Sequence, residues 1–191
     1  MATLISTAFI SLDGVMEAPG GEAGYRSAGW TFKDIDFLDE AYELKGQEQL
    51  EATAMMMGRL SYEAFSPIWP SMTEDFPQYN AMRKYVVSTR LDPDALVTNW
   101  GDITVLRSLE DVARLKEAAG GTIIIHGSST LTRNLADAGL IDRYNLLVFP
   151  LLLGAGKRLF SDTDKDKQML RLVDSKTYAN GIQKMVYDVV R

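Results

Sequence analysis

The sequence predicts an α/β protein with a mostly parallel central sheet and an antiparallel β-hairpin at its C-terminal end. Strand-like and helix-like segments alternate through position 150, which is the order of consecutive βαβ units. Beyond that point, 170–178 and 182–190 alternate in polarity around Asn180-Gly181, and Asn-Gly is a strong signal for a hairpin turn. The 191 residues are predicted to form a single domain, 1–191, large enough to bury its own core.

Apolar and β-branched runs predict the strands. They fall at Leu4–Leu12, Ala52–Met57, Lys84–Ser88, Leu96–Asn99, Ile103–Leu106, Thr122–Ile125 and Tyr144–Phe149. Apolar residues at spacings of three and four predict the helices. These start near Asp34, with apolar positions from Phe37 to Leu44, and cover Leu60–Phe65, Ser108–Ala119 and the segment from Leu131 to Ala138. Glu17–Gly29 has no period and is predicted to be a long loop, and Pro70–Gln78 is predicted to be irregular.

Composition excludes several classes of function. The chain has no cysteine, which excludes disulfides and cysteine-ligated metals, and its single histidine, His126, excludes a multi-histidine zinc site. A net charge of −6 argues against non-specific binding to nucleic acid. No apolar run approaches the ~20 residues that span a bilayer, and no basic segment precedes an apolar one at the N-terminus. We therefore predict a soluble cytoplasmic protein with a small-molecule ligand and with no metal, nucleic-acid or membrane partner.

The strand that ends near His126 passes directly into a helix through small residues, GSST at 127–130. Such a turn presents free backbone N–H groups and the positive end of the helix dipole, which suits a phosphate or a diphosphate. In the alternative interpretation this is an ordinary strand-to-helix turn, in which Ser128, Ser129 or Thr130 caps the helix and Gly139 ends it. Both interpretations are open at this point.

Two further strand ends carry groups that suit a phosphate. Gly58-Arg59 follows the second predicted strand and Ser88-Thr89-Arg90 the third. The fork of donors on arginine matches phosphate oxygens. Arg59 can instead pair with Glu63, and the second segment can be a simple capped turn. Ligands of open parallel sheets bind beyond the carboxyl ends of the strands, so an adenosine diphosphate with an extra ribose phosphate would use all three turns.

Two familiar phosphate motifs are absent. Gly154–Arg158 lacks the spacing and the Ser or Thr of a P-loop, and the turn at His126 lacks the Rossmann glycines. Acids in or beside the first loop are candidates for a proton donor if a pocket raises their pKa. These are Asp13, Glu17, Asp34 and Asp36. Asp34 can equally be a helix N-cap, and a lone histidine is more often structural than catalytic.

Four segments, in this order, resemble the dihydrofolate-reductase-like superfamily, and within it the C-terminal reductase domain of the bifunctional deaminase/reductase of riboflavin biosynthesis. They are FISLDGVMEAPGG at 9–21, MMMGRLSYEAF at 55–65, KYVVSTRL at 84–91 and TIIIHGSSTLTRNLADAGLIDRYNLLVFPLLLGAGKRLF at 122–160. The last is the most specific, because a small-residue turn, a helix, GLID, a strand and GxGKRLF follow one another at fixed distances. The resemblance implies a dihydrofolate-reductase-like three-layer sandwich that binds NADPH.

Carried over by position, the resemblance implies three groups of cofactor contacts and a nicotinamide site. Gly58, Arg59 and Ser61 match contacts to the adenosine-side phosphate, Ser88, Thr89 and Arg90 match partners of the 2′-phosphate or adenine, and Gly127, Ser128, Ser129, Thr130 and Leu131 match the diphosphate cradle. Ala8 and Ile10 would meet the nicotinamide through their backbone. His126 stands where dihydrofolate reductases hold the first glycine of a cis bond, so a cis His126–Gly127 bond is one option.

The leading hypothesis is an NADPH-dependent reductase acting on a pterin-like or 5-amino-6-(5-phosphoribosylamino)uracil-like substrate, with Asp36 or Asp13 as the proton donor. No deaminase domain and no cysteine for a deaminase zinc site are recognised, so only the reductase half is implied. The alternative hypothesis is a non-catalytic relative that binds a nucleotide or metabolite. A homodimer is predicted, because Leu146–Leu153 and the hairpin are more apolar than an exposed sheet edge usually is.

Overall fold

The computed structural model describes residues 1–160 and 166–191. Its strands are β1 Thr3–Ser11, β2 Ala52–Gly58, β3 Arg83–Val87, β4 Ile103–Leu106, β5 Thr122–His126, β6 Arg143–Phe149, β7 Leu170–Thr177 and β8 Gln183–Val189. Its helices are α1 Trp30–Lys33, α2 Glu43–Glu51, α3 Arg59–Phe65, α4 Pro77–Ala81, α5 Leu109–Ala118 and α6 Ser129–Asp137, with short 3-10 turns at Asp39–Tyr42, Trp69–Ser71 and Pro93–Ala95. Within the described ranges, none of the helices has the length and hydropathy that crossing a bilayer requires.

The sheet is parallel over six neighbouring strands and antiparallel at one edge. The described residues place eight strands in the order β4-β3-β2-β5-β1-β6-β8-β7. Strands β1 to β6 pair only in parallel with one another, whereas β8 runs antiparallel to both β6 and β7. Asn180-Gly181 lies at the hairpin turn, with Gly181 at φ +84°. The predicted mostly parallel sheet with a C-terminal antiparallel hairpin is confirmed.

Helices cover both faces of the sheet, which gives three layers. On one face, Val112 of α5 and Leu131 and Leu135 of α6 belong to a single buried cluster with side chains of β1, β2 and β5. On the other face, Tyr62 of α3 and Tyr79 of α4 pack with Met55 and Met57 of β2, whereas Met56 faces the α5–α6 side. The central strands therefore supply one row of side chains to each face, because alternate residues of a strand point to opposite faces.

The helix predicted from Asp34 is wrong in its position. Asp34 ends α1 instead of beginning a helix, and the main helix of this region is α2. The buried side of α2 includes Lys45 and Glu48 as well as Leu44. Charged residues on a buried face hide a helix from a search for apolar periodicity, and this explains why the prediction missed it.

Two other segments differ from their predictions. Leu96–Asn99 is not a strand, because the N–H of Val97 donates to the Tyr62 hydroxyl at 2.8 Å, and Ile103–Leu106 supplies the edge strand β4. Pro70–Gln78, predicted to be irregular, contains the end of a 3-10 turn and the start of α4. A short apolar run therefore does not fix a strand when a side-chain hydroxyl satisfies its backbone.

The predicted start of α5 and the predicted end of α6 are confirmed. Ser108 Oγ accepts from the N–H of Asp111 at 3.1 Å, and the Asp111 carboxylate accepts from the N–H of Ser108 at 3.1 Å. This reciprocal pair is a capping box. Beyond α6, Gly139 has φ +67°, the left-handed conformation that commonly ends a helix.

Candidate functional site

The three strand ends that carry the predicted cofactor residues are neighbours in the sheet. β3, β2 and β5 are adjacent and parallel, so their carboxyl ends open on one edge, the β5-β2-β3 rim. Gly58 at the end of β2 is level with Val87 of β3. Because neighbouring strands are about 4.8 Å apart, the carboxyl ends of β5 and β3, on either side of β2, lie roughly 10 Å from each other. The structure thus places the three turns side by side, as the dinucleotide hypothesis requires.

The turn between β5 and α6 is left-handed at two successive residues. Gly127 has φ +63° and Ser128 has φ +65°. For a non-glycine residue this conformation costs about 1–2 kcal/mol, and such strain concentrates at functional sites. The His126–Gly127 peptide bond is trans, so the cis option is wrong. The left-handed conformations of Gly127 and Ser128 form the turn instead of a cis bond.

The Ser128 side chain does not cap α6. It bonds instead to the neighbouring turn, which follows β2. Its hydroxyl accepts from the N–H of Gly58 at 2.8 Å and donates to Ser61 Oγ at 2.7 Å. In the described part of the chain, no side chain caps α6. The first-turn N–H groups of α6 and the positive end of its dipole therefore remain available to an anion.

The other predicted residues of the cradle divide between core and surface. Leu131 is buried in the core on the α5–α6 face and Ser129 is buried beside it, whereas Thr130 is exposed. A ligand at this turn would meet the backbone of all three residues but the side chain of Thr130 only.

Arg59 is held by a local acid. Its Nη1 contacts the two carboxylate oxygens of Glu63, one turn along α3, at 2.7 and 2.8 Å. This is the pair that the sequence offered as the alternative to phosphate binding. The two side chains are 35% and 45% exposed, so the pair contributes little to stability. The guanidinium keeps further donors for a second anion.

The turn after β3 is a capped turn, the alternative that the sequence left open. Ser88 Oγ accepts from the N–H groups of Arg90 and Leu91 at 3.1 and 3.0 Å. Thr89 and Arg90 are exposed, and Arg90 forms no ion pair within the described ranges. Arg107, which the sequence did not single out, follows β4 and donates to the carbonyls of Ser88 and Leu91 at 3.0 and 2.8 Å. Two arginines, Arg90 and Arg107, therefore lie at this end of the rim.

Ala8 and Ile10 lie on the central strand β1, between β5 and β6. Both side chains are buried in the core on the α5–α6 face. Ala8 is level with Leu146 of β6. Only the backbone of these two residues can contribute to a site at the sheet edge.

Asp13 anchors two loops to each other. Its carboxylate accepts from Ser11 Oγ at 2.6 Å and from the N–H groups of Leu153 and Gly154 at 3.1 and 2.9 Å, and it lies 3.7 Å from Arg158. The Ser11 hydroxyl and these backbone donors lower the pKa of Asp13. A proton donor near neutral pH needs a raised pKa, so the lowered pKa and the hydrogen bonds of Asp13 favour a structural role over that of the predicted catalytic acid.

Asp36 lies away from the predicted cofactor residues. It is exposed, between α1 and α2, and its carbonyl accepts from Asn180 Nδ2 at 2.9 Å. This contact places it beside the hairpin turn, on the β6–β8 side of β1, whereas the β5-β2-β3 rim is on the other side. The structure therefore does not place Asp36 at the β5-β2-β3 rim.

A buried polar cluster of Thr7, Lys45, Glu48 and Asn145 lies on the sheet face covered by α2, α3 and α4, which is called the α2–α4 face below. Sequence patterns did not predict this cluster. The Glu48 carboxylate accepts from Thr7 Oγ1 at 2.7 and 2.8 Å and from Asn145 Nδ2 at 2.8 Å. Lys45 Nζ donates to Thr7 Oγ1 and, at 3.3 Å, to Glu48 Oε2. Thr7 and Asn145 are level across β1 and β6, so strand register and one turn of α2 assemble the cluster.

Three buried polar atoms near this cluster have no hydrogen-bond partner within the described ranges. They are His126 Nδ1, the Tyr79 hydroxyl and Asn145 Oδ1. Buried polar atoms almost always have a partner, so this is where a polar ligand or an ordered water belongs.

His126 is a neutral ring in an aromatic setting. Its ring meets those of Phe65, Trp69 and Tyr79 edge-on or nearly so, at centroid distances of 5.8, 5.2 and 5.6 Å. Burial, assisted by the charge of Lys45, lowers the pKa of His126 to about 3. His126 would therefore border a cofactor as an uncharged side chain at physiological pH.

The sequence did contain signals for the buried cluster. Asn145 stands beside the apolar run of β6, and Thr7 follows Ser6 within the mainly apolar strand β1. A polar residue within a buried strand requires a partner. Lys45 and Glu48 are three apart, so they lie on one side of a helix. Only the strand register shows that these four residues meet.

Solved structures of similar fold define the class of this protein. A putative riboflavin biosynthesis protein from Shewanella sp. PV-4 has a TM-score of 0.75 at 20% identity, over 100% of both chains. Dihydrofolate reductase from Enterococcus faecalis, solved in complex with NADP(H), has a TM-score of 0.60 at 15% identity, over 99% of this chain and 97% of its own. This protein has the dihydrofolate reductase fold, as the sequence predicted.

The chain belongs to the RibD C-terminal domain family, whose sequence profile matches residues 2–184. The protein YyaP of Bacillus subtilis (strain 168) is 27% identical over 189 residues, which cover 93% of this chain and 90% of YyaP. The predicted resemblance is confirmed, and the family is reductase-like.

Proposed function

We propose that this protein is an NADPH-dependent reductase that transfers hydride to a small heterocyclic or imine-type substrate, pterin-like or aminouracil-like. The observation that carries the proposal is the uncapped start of α6, reached through left-handed Gly127 and Ser128, beside strand ends that bear arginines. Family membership, and the NADP(H) complex of the similarly folded Enterococcus faecalis enzyme, support the choice of cofactor.

The residues of the rim fit a dinucleotide with an additional phosphate. A Cβ added to Gly127 would lie 3.3 Å from Ser61 Oγ, so this turn keeps its backbone bare where a diphosphate would approach. The backbone N–H groups of Ser129 and Thr130 would hold the diphosphate. Arg90, and Arg59 in addition to its pair with Glu63, would hold the 2′-phosphate.

Bound NADPH supplies the hydride. The chain itself has to hold donor and acceptor carbons at near-attack distance, which can supply ~7–11 kcal/mol of the barrier. The long loop between β1 and α1 is fixed for this task by two side chains that follow it. Trp30 Nε1 donates to the carbonyl of Glu17 and Thr31 Oγ1 to that of Pro19, each at 2.8 Å. A loop held in this way can cover a substrate and exclude water.

We expect NADPH to bind more tightly than NADH in a fluorescence titration of the purified protein. Arg90→Gln should weaken NADPH binding by about 5–30-fold and leave NADH binding almost unchanged, because a charged hydrogen bond to phosphate contributes ~1–2 kcal/mol. Arg171→Gln is the matched control, since Arg171 is an exposed arginine that pairs with Asp188 at the far edge of the sheet. Equal binding of the two cofactors, or no binding of either, would contradict the proposal.

Turnover separates the reductase from the alternative of a non-catalytic binding protein. The unpartnered polar atoms near Glu48 favour a reactive or ligand-bearing cleft, so we expect consumption of NADPH. The measurement is stopped-flow loss of NADPH absorbance with a panel of pterins, pyrimidines and iminium compounds. Tight binding of NADPH without consumption by any of them would favour the alternative.

We also propose a homodimer that forms through the sheet face around the hairpin. An open depression of about 600 Å³ there is lined mainly by apolar side chains, among them Leu12, Leu146, Phe160, Leu170 and Met185. Exposed apolar patches mark association surfaces. Light scattering should give twice the monomer mass, and Leu172→Glu, on the 51% exposed Leu172 beside this depression, should give the monomer mass. A wild-type protein that is monomeric at micromolar concentration would refute the dimer.

A further inference from the structure

Lys45 and Glu48 form a buried ion pair, and such pairs are weak evidence for a stabilising role. Their side chains are only 11% and 4% exposed, and Nζ lies 3.3 Å from Oε2. Removing two charges from water carries a large free-energy penalty, and an apolar pair of similar volume is often at least as stable. A buried lysine is also a side chain whose proton affinity the surroundings readily change. This buried pair is therefore a candidate for a chemical role, in addition to a structural one.

The amine of Lys45 keeps one donor for another group. An ammonium has three N–H bonds. Within the described ranges Lys45 has two acceptors, Thr7 Oγ1 and Glu48 Oε2, and the Phe9 ring centroid lies 5.2 Å from Nζ. A polar ligand entering beside α2 would thus find a spare N–H on Lys45. It would also find the unpartnered atoms of Asn145, His126 and Tyr79 described above.

The cluster adjoins the strand position assigned to the nicotinamide. Thr7 directly precedes Ala8 on β1 and is level with His126 at the end of β5. Because consecutive strand residues point to opposite faces, the Thr7 side chain meets Lys45 on the α2–α4 face. The backbone between Thr7 and Ala8 is common to the two sites. A substrate stacked against the nicotinamide on this face would therefore lie beside the amine.

We propose that Lys45 is the proton donor of this reductase, and this inference rests on the proposed function. In the reduction of a C=N bond, the carbon gains hydride from the dihydronicotinamide, which is oxidised to the pyridinium. The π electron pair moves to the nitrogen, which takes a proton from the Lys45 ammonium. The neutral amine then regains a proton from solvent. Glu48 and Thr7 are positioning residues, because their hydrogen bonds to Nζ orient the Lys45 amine.

Among the groups that face Lys45, none other is expected to titrate at alkaline pH. The protonation of Lys45 itself should therefore govern proton delivery in that range. Burial lowers the pKa of Lys45 from 10.5, and Glu48 on the same helix opposes this effect. His126 on β5 is neutral, since its pKa is about 3. Tyr79 on α4 stays protonated, because burial raises its pKa. The contacts from β1 and β6 are uncharged. Hydride transfer should therefore slow as pH rises through the lowered pKa of Lys45.

The first test needs no substrate. NADP⁺ and NADPH carry the same phosphates but differ by one positive charge on the ring. NMR titration of isotope-labelled lysine amines, with the Lys45 signal assigned by its absence in Lys45→Met, should show Lys45 deprotonating at least ~0.5 pH unit lower in the NADP⁺ complex than in the NADPH complex. Lys84, a second buried lysine on β3 whose pKa burial lowers to about 8, is the internal control and should not move.

The outcomes separate the two proposals. If neither cofactor form binds, the proposed function fails and this inference fails with it. If both bind and the Lys45 signal does not respond to the ring charge, only this inference is overturned, because the amine is then remote from the nicotinamide.

A second test uses two probes, 7,8-dihydropterin and 2-methyl-1-pyrroline. With whichever probe the wild type reduces, Lys45→Met should slow hydride transfer by about 100-fold or more and remove the alkaline fall in rate, while NADPH affinity stays within about 2-fold. Lys45→Arg keeps the charge but holds its proton too tightly to donate, so it should remain slow. An arginine variant as fast as the wild type would show that charge alone suffices and would overturn the proposal.

Discussion

Lowering the pH from about 6.5 to about 5 should reduce the free energy of unfolding by roughly 2 kcal/mol through His126 alone. The sequence has a single histidine, and burial lowers its pKa from 6.5 to about 3. Below pH 6.5 the unfolded chain takes up a proton that the folded protein does not, so each further pH unit costs about 1.4 kcal/mol. The loss continues toward pH 3, where the carboxylates also titrate.

Urea unfolding at a series of pH values between about 7 and 5 measures this effect. His126→Gln, which keeps a polar side chain but does not titrate, is the matched variant. Its stability is expected to be nearly flat across this range even if it is lower overall. A wild-type protein with an equally flat profile would show that His126 is charged or solvated in the folded state.

Thr130→Glu should weaken NADPH binding by about 10–100-fold while leaving the fold as stable as before, or more stable by up to ~1 kcal/mol. Thr130 is exposed in the first turn of α6, where no described side chain caps the helix. A carboxylate there interacts favourably with the helix dipole, but it competes with a bound diphosphate for the same N–H groups and repels its charge. Binding and stability should thus change in opposite directions.

Thr130→Gln is the control, because it has the same length without the charge, and it should bind NADPH within about 3-fold of the wild type. Cofactor fluorescence and thermal unfolding of the two variants complete the comparison. If glutamate and glutamine at this position bind NADPH equally well, the diphosphate is not at the start of α6, and the cradle assigned to residues 127–131 is wrong.

Local patterns predicted most of the fold. The apolar runs of β1, β2, β5 and β6 identify strands because strands buried on both faces read as continuous hydrophobic segments. Asn180-Gly181 identifies the hairpin, since its turn needs residues that tolerate positive φ. The Ser108 capping box fixes the start of α5 to the residue.

Sequence patterns gave wrong or missing predictions where a charged or polar side chain is buried or is held by distant residues. Helix α2 was missed because Lys45 and Glu48 are buried, and a charged residue in a sequence normally indicates a surface. Arg107 was missed because its role is to hold the carbonyls of Ser88 and Leu91, which lie distant in sequence and adjacent only in the sheet. The contacts of Asp13 could not be predicted, because the sequence of a loop does not show how many hydrogen-bond donors surround an acid.

The sequence by itself determined the class of fold, the hairpin, and the small-residue turn after β5 that makes an anion site conceivable. Each of these depends on residues close together in the chain, whose conformational preferences act locally. Only the tertiary structure decided that Ser128 binds the neighbouring turn, that Asp13 is an anchor, and that Thr7, Lys45, Glu48 and Asn145 meet. Those contacts depend on strand register, which brings together residues that are distant in the sequence. They also depend on burial, because the surrounding residues determine the free energy of a buried charge.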